Sequence, residues 1–254
     1  MAPVREERAS TSLPSAPASA PAPGSVPTAT STDAKSDQEL FDAAQLAVEH
    51  GDKARARATF IELIQKWPSS SYVPSTYVAL GDLSFEAGDP PHMKEAEQEY
   101  LEAVKSPPPA NRSYGYAWYK LAFVYWNRGD GSQALAAFKR VIDYGAQYPQ
   151  AANAGKLRVE ALRDVVPVFA QVGNATRAYP FFRILAGSDP SAIAMLESLA
   201  KTYSSSGNLP GAQSVYQELA VRDAPHACVH GVHARFSVPG ANQAAEDAEL
   251  KKCP

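Results

Sequence analysis

Apolar residues between Asp37 and Pro225 recur at three- and four-residue intervals, which places them on one face of an α-helix. One such stripe contains Trp118, Leu121, Ala122 and Tyr125, and another contains Leu196, Leu199, Ala200 and Tyr203. Between the stripes, a glycine followed by Asp or Asn is typical of a helix end and a turn, and a later proline cannot continue a helix. The pattern predicts ten successive helices and an all-α fold.

Three residue types recur in a fixed order along this helical region. A glycine precedes an alanine, and an aromatic residue follows that alanine by four positions, so the alanine and the aromatic share a helix face. The five units are Gly51, Ala56, Phe60; Gly88, Ala96, Tyr100; Gly129, Ala134, Phe138; Gly173, Ala178, Phe182; and Gly207, Ala212, Tyr216. Successive alanines lie 40, 38, 44 and 34 residues apart, which fits a helical-hairpin repeat with loop insertions.

Each recurring residue type has a physical role in a helical pair. The glycine accepts a left-handed backbone conformation at the end of the first helix. The alanine is small enough for the second helix to approach the first closely, and the aromatic side chain fills the space beside it. Prolines follow the second helices and separate the pairs: Pro68, Pro107, Pro149, Pro190 and Pro225.

This combination resembles the tetratricopeptide repeats, whose pattern is Trp-x2-Leu-Gly-x2-Tyr followed by Gly, Ala, Phe and Pro. The third pair matches best, with Trp118, Leu121, Tyr125, Gly129, Ala134 and Phe138, and Leu80-Gly81 supplies the Leu-Gly of the second pair. The resemblance covers residues 37–225 and implies a right-handed α-solenoid of about five helix-turn-helix repeats. Pro167 departs from the pattern, because it lies inside the first helix of the fourth pair and is expected to disturb a straight helix.

The segments on either side of the repeats differ from them in composition. From Ala9 to Ser36 the chain is almost entirely Ala, Pro, Ser and Thr, which cannot bury enough apolar surface to fold. Residues 1–36 are therefore predicted to be a disordered linker, and residues 226–254 a C-terminal capping segment or tail.

Charge and motif content narrow the functional class. The net charge is −3 and the pI is about 6.0, with scattered Lys and Arg, so nucleic-acid binding is not expected. No run of 18 apolar residues or secretory signal peptide is visible, so no membrane span is expected. The common catalytic motifs are not found either. The sequence predicts a protein that is not an enzyme and uses no cofactor.

The C-terminal segment contains the one cluster of metal-ligating residue types. His226, His230 and His233 share one face if this stretch is helical, which leaves metal binding as an alternative to a solvated capping segment. Cys228 would point away from that face. Cys228 and Cys253 permit one disulfide, but two cysteines do not establish an oxidising compartment.

The first helix of the third pair is unusually rich in aromatic residues. Tyr116, Tyr119, Phe123 and Trp126 form a stripe about 130° from the one that packs inside the pair, at 100° per residue. In tetratricopeptide repeats this face lines the concave groove that receives a partner's peptide or helix. The resemblance therefore implies a partner-binding groove of Phe41, Asp82, Phe85, Tyr116, Tyr119, Phe123, Trp126 and Asn127, with equivalent positions at Gln45, Val78, Arg163, Gln171, Glu197 and Lys201. Alternatively, a tightly wound solenoid buries the stripe against neighbouring first helices.

The functional expectation is a scaffold or adaptor that binds an apolar or aromatic-bearing segment of another protein. Residues 58–68 are similar to the bacterial cell-envelope branch of the repeats, which includes the outer-membrane assembly lipoprotein, the Tol-Pal coordinator and gliding-motility scaffold proteins. That similarity implies the periplasm or the cell envelope. A cytoplasmic regulator is the alternative location, and a metal-binding module centred on the histidines is the alternative function.

Overall fold

The computed structural model describes residues 35–254, which form twelve α-helices and two short 3-10 turns and contain no strand in that range. The helices are α1 Asp37–Glu49, α2 Lys53–Lys66, α3 Val73–Ala87, α4 Pro90–Ala103, α5 Tyr114–Asn127, α6 Gly131–Gln147, α7 Ala154–Val172, α8 Ala178–Ala186, α9 Asp189–Ser205, α10 Leu209–Arg222, α11 Ala227–Phe236 and α12 Gln243–Leu250. The predicted linker, residues 1–36, lies outside the described residues apart from its last two positions.

The helices belong to two compact units. Unit 1 contains the described residues up to Arg128 together with Tyr148–Gly155, and unit 2 contains Gly129–Gln147 and Lys156–Pro254. In unit 1, α1 packs against α2, α2 against α3, α3 against α4, and α4 against α5. In unit 2, consecutive helices from α8 to α12 likewise pack against each other. The predicted all-α fold of successive helical repeats is confirmed.

The turn between two helices of a pair explains why an acidic or amide residue follows the glycine. Gly51 has φ 75°, a left-handed backbone conformation that terminates α1. The Asp52 side chain then accepts a hydrogen bond from the backbone N–H of Arg55 at 3.1 Å. Such a cap satisfies a backbone donor that the first turn of α2 leaves without an intrahelical acceptor. The Asp89 side chain caps α4 in the same way, and the Asn208 side chain caps α10.

The repeated alanines and aromatics form the centre of the helical pairs, as the sequence predicted. All ten of these side chains are buried: Ala56, Phe60, Ala96, Tyr100, Ala134, Phe138, Ala178, Phe182, Ala212 and Tyr216. Burial of side chains of this size is the main stabilising contribution to a helical pair. The residues that recur in the sequence are therefore the residues that form the core.

Helices α3 and α4 approach each other closely at Gly81. A Cβ atom built there would lie 2.6 Å from the Tyr100 ring, and that ring has no room to move because it is completely buried. The Tyr100 hydroxyl also donates a hydrogen bond to Asp82 at 2.6 Å, which fixes the ring further.

We expect Gly81→Ala to lower the free energy of unfolding by about 1–3 kcal/mol, because the added methyl group overpacks this contact. The matched control is Gly155→Ala, where a helical glycine has nothing within 4 Å of the added Cβ. That substitution is expected to stabilise by up to about 1 kcal/mol, the usual helix-propensity gain. Urea unfolding of both variants measures the difference, and equal stabilities would contradict the close approach.

Three details differ from the sequence predictions or extend them. Gly173 does not have the predicted left-handed φ; instead, a Cβ there would meet the Phe169 ring at 2.6 Å, so the glycine is needed for packing. The left-handed glycine of this region is Gly187, which ends α8 with φ 78°. Pro167 lies within α7, which is continuous from Ala154 to Val172. The segment after residue 226 forms α11 and α12, and α11 packs against α10.

Candidate partner-binding surfaces

The aromatic stripe on α5 is mostly buried. Tyr119 has 0% of its surface exposed, and Tyr116 and Phe123 are also buried. The rings of Tyr119 and Phe123 are in edge contact, with centroids 5.1 Å apart. This burial favours packing as the role of these three residues, which is the alternative that the sequence left open. Their role in binding a partner stays a prediction.

Trp126 and Asn127 are the members of the α5 set that remain partly exposed. The Trp126 ring lies 6.0 Å from the Phe123 ring, at the end of the helix. Trp118, which the sequence placed at a core position, is also only partly buried and contacts Tyr114 at a centroid distance of 6.3 Å. Within the predicted set on α5, a partner therefore has direct access to Trp126 and Asn127.

A buried lysine brings together predicted residues from α3 and α5. The Lys120 ammonium lies 4.5 Å from the centre of the Phe85 ring, 5.8 Å from that of Tyr116 and 3.3 Å from Asp82 Oδ1. Such contacts with ring faces and a carboxylate compensate part of the cost of burying the charge. Sequence reasoning missed Lys120, although a lysine in the middle of an apolar helix was a visible signal.

The environment of Asp82 differs from that of a surface carboxylate. Burial raises the pKa of the Asp82 carboxyl group, although Lys120 and the hydrogen bond from Tyr100 oppose this shift. The side chain is engaged on both sides by protein groups. Asp82 thus holds α3, α4 and α5 together in unit 1, in addition to any role in binding.

Phe41, the predicted groove residue on α1, packs within the first repeat. Its ring stacks on Tyr72 with a centroid separation of 4.9 Å and lies 6.0 Å from Phe60. Phe41 is therefore part of the hydrophobic core that α1, α2 and α3 share. The structure does not bring it into contact with the cluster around Lys120.

Unit 2 contains a cleft between α7 and α9, the first helices of the fourth and fifth pairs. The cleft has a volume of about 290 Å³ and a mostly apolar surface with an arginine at its edge. Its lining residues are Leu162, Arg163, Val166, Ser191, Ala194, Met195 and Ser198. Arg163 is one of the groove positions that the resemblance implied, whereas the sequence did not point to the six others.

A second cleft lies on the other side of α9. It is lined by Glu197 and Lys201 of α9, by Tyr216 of α10 and by residues of α11 and the turn before it, including His226 and His230. Glu197 and Lys201 are also implied groove positions. The implied groove positions of α9 therefore line the cleft beside α11, whereas other residues of α9 line the cleft beside α7.

The three histidines of the C-terminal segment do not converge on one point. His226 Nδ1 lies 2.9 Å from Asp223 Oδ2, and His230 Nε2 lies 3.0 Å from the same oxygen. His233 instead contacts Glu246 at 2.8 Å. The sequence-predicted set of three histidines is thus divided between two carboxylates that sequence reasoning did not include.

Comparison with known protein families matches two segments of the chain, residues 40–70 and 116–144, to the tetratricopeptide repeat. The first segment contains α1 and α2, and the second contains most of α5 and α6. The chain contains tetratricopeptide repeats. Comparison with curated proteins finds no significant match, and no homologue supports the envelope branch.

Tetratricopeptide repeats generally mediate protein–protein interactions, and their all-helical fold is typically a non-catalytic scaffold. In the part of the chain that the structure describes, no helix is both long and apolar enough to cross a membrane.

Proposed function

We propose that this chain is a non-catalytic scaffold whose tetratricopeptide repeats bind an apolar or aromatic-bearing segment of a partner protein. The observation that carries the proposal is the cleft between α7 and α9. Its lining comes from the first helices of two consecutive pairs, and Leu162, Val166 and Met195 supply its apolar surface. An amphipathic helix or short peptide fits such a groove by inserting apolar side chains.

The lining of the cleft favours a partner segment that has both apolar and polar side chains. Arg163, Ser191 and Ser198 are exposed residues of the lining, so polar groups accompany the apolar ones, and Arg163 also pairs with Asp164 at 2.7 Å. This arrangement matches the usual anatomy of an interface, with an apolar centre and a polar rim. The same chemistry accommodates a segment with one or two large apolar residues.

The cleft is tested by placing a charge in it without disturbing the core. Ala194 is exposed on α9, so Ala194→Glu is expected to leave the melting temperature nearly unchanged while weakening partner binding at least about tenfold. The matched control is Ile184→Glu on α8, the second helix of the fourth pair, where the side chain is 74% exposed. Binding is measured with a partner isolated from the native host, by titration against each purified variant.

Site-specific photocrosslinking supplies the same comparison inside cells. A photoreactive phenylalanine at Ser198 in the cleft is expected to capture one defined partner, whereas the same group at the exposed Val221 of α10 is not. Equal capture from both positions, or loss of binding in Ile184→Glu as large as in Ala194→Glu, would show that the partner does not sit in this cleft.

We also propose that the scaffold works in an oxidising compartment, as part of an assembly of the bacterial cell envelope such as an outer-membrane or gliding-motility complex. The support for the compartment is the disulfide between Cys228 and Cys253. Disulfides persist in the periplasm and outside the cell but are rare in the reducing cytosol. The choice of assembly rests on the sequence similarity of residues 58–68 alone.

A further inference from the structure

Three side chains with metal-ligating groups converge at the cleft between α9 and α11, and a fourth lies beside them. His230 Nε2 lies 3.0 Å from Asp223 Oδ2 and 3.8 Å from Glu197 Oε1, and one ligand atom from each of these three residues lies within 4.8 Å of the others. His226 Nδ1 approaches the same Asp223 oxygen at 2.9 Å. The convergent group therefore contains one imidazole and two carboxylates, and His226 supplies a second imidazole beside it.

We propose that Glu197, Asp223, His226 and His230 bind one Zn²⁺ ion. Zinc forms bonds of about 2.0–2.2 Å to imidazole nitrogen and carboxylate oxygen, so the ligand atoms of a tetrahedral site are about 3.3–3.5 Å apart. The separations of 3.0 Å and 3.8 Å from His230 Nε2 lie on either side of that value. In the proposed site, rotation of the exposed His226 side chain brings its imidazole to the ion as the fourth ligand.

His230 has a buried and therefore restricted position beside the cleft. This residue is only 5% exposed, and its Nδ1 has no hydrogen-bond partner among the described residues. Buried polar atoms without partners are rare and call for an explanation. The contacts with Asp223 and Glu197 are made by Nε2, so Nδ1 stays without a partner when Nε2 binds a cation and does not by itself indicate a ligand.

The surrounding structure gives the cation both access and a fixed site. The cavity beside the cluster has a volume of about 180 Å³ and is lined by Glu197, His226 and His230, and His226 is exposed at its edge. The disulfide between Cys228 and Cys253 links α11 to the C-terminal end of the chain. Cys228 lies between His226 and His230 in the sequence. Ligands held by a rigid framework bind with less loss of conformational freedom.

The donor set selects zinc over the common alkaline-earth ions. Two carboxylates bring a charge of −2, which a divalent cation neutralises, while the imidazoles favour zinc over calcium or magnesium, which prefer oxygen ligands. His233 is not part of the set, because it contacts Glu246 and packs 5.0 Å from the Tyr216 ring. The proposed site thus replaces the three-histidine alternative with a mixed set, and it does not depend on partner binding.

The test is calorimetric titration of ZnCl₂ into the complete, untagged and chelator-treated chain with its disulfide intact. We expect saturable binding of one Zn²⁺ per chain, a rise in melting temperature with zinc, and no comparable binding of Mg²⁺ or Ca²⁺. His226→Gln and Asp223→Asn are each expected to weaken binding at least about tenfold, because each removes one ligand. His226 is exposed, so this variant is expected to fold, and circular dichroism verifies folding in both.

The matched control is His92→Gln. His92 Nδ1 lies 2.6 Å from Asp89 Oδ2 on the surface of unit 1, which is a histidine–carboxylate pair like that of His226 and Asp223. Zinc affinity should not change in this variant. The proposal is overturned if the unaltered chain binds no zinc, or if His226→Gln and Asp223→Asn bind zinc as tightly as His92→Gln does.

Discussion

Replacing Tyr119 by alanine is expected to lower the free energy of unfolding by about 3–5 kcal/mol. The side chain is completely buried in the middle of α5, and its ring contacts Phe123 edge-on. Removing the ring loses apolar burial and leaves a cavity that the surrounding helices fill only in part. Urea unfolding followed by circular dichroism gives the loss directly.

The control for this prediction is Trp126→Ala on the same helix. Trp126 is larger but partly exposed, so its truncation is expected to cost clearly less stability than that of Tyr119. If Trp126 also contacts the partner, its variant loses binding while remaining folded. Equal losses of stability in the two variants would instead assign Trp126 to the core and remove it from the candidate binding surface.

Removing the disulfide is expected to destabilise the C-terminal part of unit 2 by about 3.5 kcal/mol, the loop-closure value for two cysteines separated by 25 residues. The bridge joins α11 to the end of the chain beyond α12 and limits the freedom of the unfolded segment. The Cys228→Ser, Cys253→Ser double variant is compared with the unaltered protein by hydrogen exchange, which reports opening of α11 and α12 separately from the other helices.

The redox state of the two cysteines in the native cell tests the proposed compartment. Alkylation during lysis, followed by mass spectrometry of the intact chain, distinguishes the bridge from two thiols. We expect the bridge, because an oxidising compartment maintains it. Two free thiols in rapidly alkylated cells would remove the support for an envelope location, although the purified protein would still be expected to form the bond in air.

The sequence was sufficient to predict the repeats because their determinants are local. A glycine before Asp or Asn specifies a helix end and a new cap, as Gly51 and Asp52 show, and an alanine four residues before an aromatic defines one helix face. The prediction of a left-handed φ at Gly173 was wrong, because a glycine before Asn favours that conformation without requiring it. The Gly173 N–H donates a hydrogen bond to the Phe169 carbonyl oxygen at 2.7 Å, and the glycine leaves room for the Phe169 ring.

The candidate sites depended on contacts between residues far apart in the chain. Helical periodicity placed Tyr119 and Trp126 on the same stripe of α5, but it did not determine that one is buried and the other partly exposed, because that depends on which helices cover each position. The cluster around Lys120 and the cleft between α7 and α9 likewise required the packing of helices that the sequence only showed to exist.

By itself, the sequence determined the all-α class, the period of the repeats and the residues at the centre of each pair, since each is a consequence of backbone preference and side-chain spacing within some forty residues. Tertiary structure alone decided which side chains from different helices come into contact. Asp223 and Glu197 belong to different helical segments, and neither was singled out as a ligand beside His230. The packing of α9, α10 and α11 brings the side chains of Asp223 and Glu197 within a few ångströms of His230. The positions of ligand atoms depend on helix packing rather than on sequence spacing.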